Sequence, residues 1–248
     1  MSFRIATLNL ARNEKRWDER RELVASEIAA LKPDILALNE IWLSLQTGQW
    51  LRQHARLADS SYTLVQQAKN DSDQPLEAEG LLSRFEAIAH AHRFYAKKDA
   101  VALVTRLEID GRLVDVYVTH LYAALRPDAL RAEQVTELIN WTHERDDVPD
   151  KILCGDCNST LESDSMKLLA SEFRPTQTLP TAFTPLAEKN GVPSHADWPR
   201  MDRCIDFIWV TNSIRIVGSG RCFDRPAEAD ATLWPSDHVG VWADLELG

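Results

Sequence analysis

The chain has no long apolar run and no excess of positive charge. None of its 248 residues belongs to a stretch that approaches the roughly 18 consecutive apolar residues of a membrane-spanning helix. Its amino terminus also lacks the charged and then apolar leader of a secreted protein. We therefore predict a soluble, cytoplasmic protein without a membrane span. The formal net charge of −10 disfavours non-specific binding to nucleic acid, because such binding derives its affinity from the neutralisation of phosphates by basic side chains.

Cysteine is scarce, with four residues in the chain. Cys154 and Cys157 have the C-x-x-C spacing of redox and zinc sites, but no second ligand pair and no helix start accompany them. Positions three apart on a strand also point to opposite faces. We therefore expect small, buried, reduced thiols.

No repeat, linker or low-complexity tract divides the sequence, so residues 1–248 are predicted to form one domain. Hydrophobic residues make up 44% of the chain, enough for a substantial core. Helical spacing of apolar residues predicts helices at 18–31, 43–57 (interrupted around Gly48) and 127–144, with strands between them. Residues 69–79 and 173–203 are predicted to be loops. So many apolar strands need cover on both faces, which indicates an α/β fold with two stacked mixed sheets and helices outside.

Polar side chains stand at the ends of apolar, strand-like runs. The runs cover residues 3–8, 35–38, 113–118, 151–153 and 205–210, and the polar residues are Asn9, Asn39 with Glu40, His120, Asp156 with Asn158, and Asp206 within the last run. A triplet, Ser236-Asp237-His238, precedes a final run at 239–245. Open α/β sheets bind ligands at such strand ends. Carboxylates, amides and imidazoles placed there can hold a divalent cation, a water and a phosphoryl group.

The first part of this set suits metal and water chemistry. Glu40 is the best single metal ligand, being a carboxylate at the end of a buried strand, although such a residue is more often a salt-bridge partner. Asn9 could orient Glu40, ligate the metal or simply end a strand. Gly155 lets the backbone approach a ligand closely, which leaves Asp156 free to accept a proton from water.

The second part suits phosphate binding. The Asn158 amide could bond a phosphate oxygen, or form an ordinary turn with Asp156. His238 can donate to a phosphoryl oxygen while Asp206 orients its ring. His120 could contact the phosphate or the leaving group, or be a structural histidine.

Basic residues cluster near the amino terminus and again after residue 125. The cluster members are Arg12, Lys15, Arg16, Arg20 and Arg21, then Arg126 and Arg131. We interpret most of them as solvated helix faces. Arg131 shares a helix face with Gln134, three residues on, and this pair is interpreted as support for the site from behind.

Together, the order of these motifs resembles the endonuclease/exonuclease/phosphatase superfamily over nearly the full length. The matching segments are Thr7-Leu8-Asn9, Leu38-Asn39-Glu40-Ile41-Trp42, Gly80-Leu81-Leu82-Ser83-Arg84-Phe85, Thr119-His120-Leu121, Arg131-x-x-Gln134, Gly155-Asp156-Cys157-Asn158, Ile205-Asp206-Phe207-Ile208 and Ser236-Asp237-His238. Three residues depart from the family pattern: Asn39 replaces glutamine, Cys157 a bulky residue and Cys204 a frequent arginine. None removes a catalytic group, so we expect an active enzyme.

The resemblance implies a deoxyribonuclease I-like fold, a four-layer α/β/β/α sandwich. It implies Mg²⁺ or Mn²⁺ as the cofactor, bound by Glu40 with Asn9 nearby and Asp237 assisting. It further implies that Asp156 activates the water. The phosphate would be held by Asn158, His120 and His238, with Asp206 orienting His238.

Three hypotheses for function follow. The first is a metal-dependent phosphoesterase acting on a small or lipid-like phosphomonoester or phosphodiester. The second is a DNA or RNA nuclease, which the net charge disfavours. The third is a non-catalytic binding module on the same fold, because fold alone does not establish activity. Substrate identity and oligomeric state are not specified by the sequence.

Overall fold

A computed structural model describes residues 2–11, 16–55, 61–96, 100–123, 128–183 and 201–248. Within these ranges the helices are α1 (Trp17–Leu31), α2 (Thr47–His54), α3 (Asp128–His143) and α4 (Asp164–Ala170). The strands within the same ranges are β1 (Ser2–Asn9), β2 (Ile35–Trp42), β3 (Thr63–Ala68), β4 (Glu77–Ser83), β5 (Ala87–Phe94), β6 (Val101–Ile109), β7 (Arg112–Thr119), β8 (Lys151–Asp156), β9 (Arg174–Pro175), β10 (Ala182–Phe183), β11 (Met201–Arg203), β12 (Asp206–Val210), β13 (Ile214–Cys222) and β14 (Gly240–Leu247). No helix in the described part of the chain is both long and apolar enough to cross a bilayer.

Two mixed sheets stack face to face. The first sheet has the strand order β13-β14-β1-β2-β4-β3, and the second has the order β5-β6-β7-β8-β12-β9. Strands β10 and β11 pair separately. This architecture confirms the predicted α/β sandwich of two stacked mixed sheets with outer helices.

Alternate residues of the central strands face different layers, which explains their continuous apolar runs. On β1, Phe3 and Ile5 pack between the sheets, whereas Ala6 and Leu8 pack with residues of α1. On β8, Ile152 faces the other sheet, and Leu153 packs with residues of α3 and α4. Both faces of these strands are therefore buried, and only their ends are available for polar chemistry.

The strand ends that carry the predicted site meet at one rim. Strands β1 and β2 run parallel with Asn9 opposite Asn39, and β7 runs parallel to β8. Strand β12 runs antiparallel to β8, so its first residue, Asp206, lies opposite Asp156, the last residue of β8. Because β12 begins where its neighbour ends, a carboxylate at a strand start reaches the same rim as those at strand ends.

Three predicted segments differ from the structure. The loop predicted at 173–203 contains the short strands β9, β10 and β11 in its described part. The helix predicted at 43–57 is only the shorter α2, preceded by turns. The predicted surface loop at 69–79 ends early, because Glu77 and Glu79 belong to β4 and the Glu79 side chain is fully buried. The polar composition concealed this strand, because Glu77 and Glu79 are buried against Lys69 and the sequence does not indicate that contact.

The interpretation of the amino-terminal arginines as a solvated face was wrong for Arg20. Its side chain is buried, and one guanidinium nitrogen donates to the carbonyl oxygens of Leu10 at 2.8 Å and Pro235 at 3.1 Å. Arg20 thus ties the segment after β1 to the segment before His238. Arg12, Lys15 and Arg126 lie outside the described residues. Cys154 and Cys157 are free, buried thiols, as predicted.

Candidate active site

A bulge at the end of β2 aims Glu40 at the rim. The register between β2 and β4 shifts between Leu38 and Ile41, and Glu40 has a positive φ of 55°. A non-glycine residue in this left-handed region is uncommon and is concentrated at functional sites. The bulge re-aims the Glu40 carboxylate out of the strand alternation.

Asn9 links Glu40 to Asp156. Its amide nitrogen donates to Glu40 Oε1 and to Asp156 Oδ2, both at 3.2 Å. Its oxygen accepts from the backbone N–H of Ala11 at 3.0 Å. In this arrangement the side-chain nitrogen of Asn9 bridges two carboxylates, a geometry that favours the first of the three alternatives that the sequence left open.

Close strand packing fixes Asp156. Gly155 has a φ of 136°, and a Cβ there would collide with the carbonyl oxygen of Thr119, so only glycine lets β8 approach β7 this closely. Asn39 reaches across from the first sheet: its oxygen accepts from the Asp156 N–H at 2.9 Å, and its nitrogen donates to the Thr119 carbonyl at 3.0 Å. Although its side chain is shorter than that of the glutamine in the family pattern, Asn39 reaches from the first sheet to the second.

Asn158 sits in a tight turn over Asp156. Its φ is 49°, its backbone N–H donates to Asp156 Oδ1 at 2.8 Å, and its side-chain nitrogen donates to the Leu121 carbonyl at 3.0 Å. The turn that the sequence indicated is present. It also places the Asn158 amide at the rim beside the segment that carries His120.

His238 and Asp206 form a pair between the sheets. His238 Nδ1 lies 2.8 Å from Asp206 Oδ2, and its Nε2 faces Asp156 Oδ2 at 3.7 Å. The hydroxyl of Ser236 accepts from the His238 N–H at 3.2 Å and donates to the Asn9 carbonyl at 2.5 Å. Burial opposes the charging of His238, but Asp206 and Asp156 outweigh it and raise the pKa of His238 well above its usual range.

His120 has a different partner. Its Nε2 faces Asp156 Oδ2 at 3.6 Å, while Nδ1 lies 3.0 Å from Lys69 Nζ and 3.9 Å from Glu40 Oε1. Burial, followed by the charges of Lys69 and His238, lowers the pKa of His120 well below its usual range.

Lys69 and Glu79 were missed by the sequence reasoning. Lys69 Nζ lies 2.8 Å from Glu77 Oε2 and 3.4 Å from Glu79 Oε1, and the Asn39 amide donates to the other Glu79 oxygen. Burial raises the pKa of Glu79 to about 7, although Lys69 and Asn39 oppose the shift. The available signal was the alternation of Glu77 and Glu79 just before the recognised segment at Gly80, which is typical of a strand.

Arg131 and Gln134 brace the chain after His120. Arg131 donates to the Ser159 hydroxyl at 2.6 Å and to the Tyr122 carbonyl at 3.1 Å. Gln134 accepts from the Tyr122 N–H at 2.9 Å. Both residues hold the backbone of Tyr122, and Arg131 also bonds the side chain of Ser159.

The carboxylates at the rim fit a divalent cation. Burial first, and then Asp237, raises the pKa of Glu40, while burial and Asp206 raise the pKa of Asp156. Crowded carboxylates of this kind are stabilised by a positive ion, and carboxylate oxygens are ligands that Mg²⁺ and Mn²⁺ prefer. Among the described residues, Asp156, Asp206 and His238 also place potential ligand atoms within 4.8 Å of one another. Because Asp206 and His238 already bond each other, the Glu40 side is the better position for a metal.

A pocket of about 420 Å³ opens beside His120. Lys69 and Glu77 line it together with Asn70, Ser72 and Gln74. Of the two loops predicted from the sequence, the one after β3 therefore lines this pocket with residues between 69 and 76. Most of the other loop, including His195 and Trp198, lies outside the described residues.

Comparison with known proteins gives consistent matches. Residues 6–238 match the model of the Endonuclease/Exonuclease/phosphatase family. The chain is 26% identical over 260 residues to Nocturnin of Rattus norvegicus, a match that covers 94% of this chain, and it spans 59% of that protein's length. The D. rerio TDP2 complexed with single strand DNA product superposes with a TM-score of 0.79 at 16% identity, covering 99% of both chains. The mannosyl-6-phosphatase Bt3783 of Bacteroides thetaiotaomicron superposes with a TM-score of 0.78 at 17% identity, covering 99% of this chain and 100% of the other.

Proposed function

Since this chain belongs to the endonuclease/exonuclease/phosphatase family, we propose that it is a divalent-metal-dependent phosphoesterase acting on a small or lipid-like phosphomonoester or phosphodiester. Family members are generally hydrolases of phosphate esters. We also propose that residues 1–248 form one domain and that the protein acts in the cytoplasm.

One observation carries the proposal. Asn9, His120 and His238, from three separate segments, all direct a nitrogen at Asp156 Oδ2, at distances between 3.2 and 3.7 Å. Because three nitrogens from separate segments surround this one carboxylate oxygen, we infer that the attacking water and the phosphoryl group would meet there.

The residues take these roles. Asp156 orients the attacking water and accepts its proton. His238, whose ring Asp206 holds, donates to a phosphoryl oxygen, and Asn158 and His120 hold the phosphate from the other side. Glu40, which Asn9 orients, would hold Mg²⁺ or Mn²⁺ together with Asp237. The ion would supply Lewis-acid stabilisation of charge on the phosphoryl oxygens.

The pocket beside His120 supports a small substrate. Its volume suits a ligand of metabolite size, and uncharged polar side chains surround the pair of Lys69 and Glu77. The similarity to a mannosyl-6-phosphatase is compatible with a phosphomonoester.

Nuclease activity is the second candidate, supported by the similarity to a protein solved with a single-stranded DNA product. Against it, the amino-terminal arginines in the described residues are engaged within the protein. Arg16 pairs with Glu19 and Asp230, and Arg20 is buried. Plasmid nicking that depends on metal and falls steeply as salt rises would favour this candidate over the first.

Asp156→Asn and His238→Gln test the proposal. Each should reduce metal-dependent turnover of an aryl phosphate ester by at least about 1,000-fold, with thermal unfolding close to that of the wild type. Asp164→Asn, at an exposed position in α4, is the control and should keep full activity. A chelator should abolish turnover, and added Mg²⁺ should restore it. Wild-type rates in either site variant would refute the assigned roles, and absence of Mg²⁺ binding in calorimetry would favour a binding module.

A further inference from the structure

The Lys69 ammonium contacts a ring nitrogen of His120. Lys69 follows β3, its side chain is 13% exposed, and Nζ lies 3.0 Å from His120 Nδ1. Within the described residues, this ammonium also contacts Glu77 and Glu79. The three partners hold Lys69 in a fixed position at the wall of the pocket.

An ammonium has three donors and no acceptor, so Nδ1 of His120 must accept. Burial opposes the charge of Lys69, but Glu79 and Glu77 outweigh it and raise the pKa of Lys69. A ring nitrogen that accepts carries no proton. The proton of the imidazole must then be on Nε2, the nitrogen that faces Asp156.

Of the two carboxylates near His120, Glu40 faces Nδ1 and would favour a proton there, whereas Asp156 faces Nε2 and favours a proton on that nitrogen. Glu40 lies 3.9 Å from Nδ1 and Asp156 lies 3.6 Å from Nε2, and both distances exceed those of hydrogen bonds. The Lys69 contact is within hydrogen-bond distance. The short contact therefore decides which ring nitrogen carries the proton.

We propose that Lys69 is a positioning residue that fixes His120 as the neutral tautomer protonated on Nε2. His120 then presents an N–H donor to the phosphate or to the leaving-group oxygen and does not transfer a proton. This role rests on the proposed phosphoesterase function, but the tautomer is a property of the free protein.

The wild-type protein supplies the first test. Two-bond ¹H–¹⁵N correlation spectra of the metal-free protein at neutral pH, with the signal of His120 assigned by its loss in His120→Gln, should show protonated Nε2 and unprotonated Nδ1. An imidazolium or an Nδ1–H tautomer would overturn the proposal. This measurement requires neither substrate nor activity.

Lys69→Met supplies the second test. Loss of the donor should allow His120 to populate the Nδ1–H tautomer and should lower kcat about 10-fold, as removal of an orienting partner does, with KM within about 2-fold of the wild type. Lys69→Arg keeps a donor and should restore both the spectrum and most of kcat.

Lys151→Met is the matched control. Lys151 is a buried lysine on β8 that donates to the Val148 carbonyl, away from the rim. It should leave both the His120 signal and kcat unchanged. An unchanged His120 spectrum in Lys69→Met would assign Lys69 a merely structural role and overturn the proposal. By contrast, full turnover by Asp156→Asn would refute the proposed function while leaving the tautomer result intact.

Discussion

A histidine lies on each side of the site, and both face the same carboxylate oxygen, Asp156 Oδ2. The group that contacts the other ring nitrogen differs in charge: it is the Asp206 carboxylate for His238 and the Lys69 ammonium for His120. In each pair the two residues come from different sheets. Asp206 opens β12 of the second sheet and His238 precedes β14 of the first, whereas Lys69 follows β3 of the first sheet and His120 follows β7 of the second. The same side chain is thus driven towards a cation on one side and a neutral ring on the other.

Under the proposed function, the partner determines what each histidine would offer to the phosphate. His238 would offer a positive charge, which suits the developing negative charge of the phosphoryl oxygens. His120 would offer a neutral N–H donor that does not compete with Asp156 for the proton of the water. Three substitutions test this comparison, beginning with the negatively charged partner of His238.

Asp206→Asn is expected to have the largest effect. The loss of the carboxylate removes the main attraction that raises the pKa of His238, so kcat should fall about 1,000-fold. Steady-state kinetics with an aryl phosphate ester provide the measurement. The comparison would be wrong if this variant kept a rate within a few-fold of that of the wild type.

Asn39→Ala breaks the connection between the two sides. Three partners would lose their contact with the Asn39 side chain: the Asp156 N–H, the Thr119 carbonyl and the Glu79 carboxylate. Because buried unpaired groups are costly, the free energy of unfolding should fall by about 3 kcal/mol in urea titration. Asn39→Gln, the family's residue, is the control and should lose less. Equal losses would mean that the contacts matter less than the packing.

Glu79→Gln should produce the smallest effect, a change in the pH dependence of stability. The folded pKa of Glu79 is raised to about 7, above the unfolded value, so the folded state binds the proton more tightly. Its contribution to stability is complete below about pH 4 and is lost as pH rises through about 7. Removing the titrating group should flatten that decline in the metal-free protein by about 2 kcal/mol. Urea titrations at pH 5 and pH 7.5 measure it, and parallel curves for both proteins would contradict it.

Much of the candidate site could be predicted because the ends of strands can be located in the sequence. Continuous apolar runs predicted β1, β2, β7 and β8, and each run pointed to the polar residue that follows it. Helix α3 was predicted within a residue at either end, because its apolar face has clear helical spacing. These features depend on local sequence and on burial.

The residues that were missed depend on pairing between distant segments. Lys69 acquires its role because β3 pairs with β4, which brings it beside Glu77, and no local pattern encodes that register. Arg20 is buried because two separate segments supply carbonyl oxygens to it. The bulge that turns Glu40 also arises from the pairing of β2 with β4, so the apolar run of β2 alone does not predict it.

Because each histidine and its charged partner come from different sheets, the proposed active site can form only after the two sheets have come together. A chain that had formed either sheet alone would carry one histidine and the wrong counterpart, and it would be silent in any activity assay. Under the proposed function, recovery of turnover during refolding would therefore report the docking of one sheet onto the other.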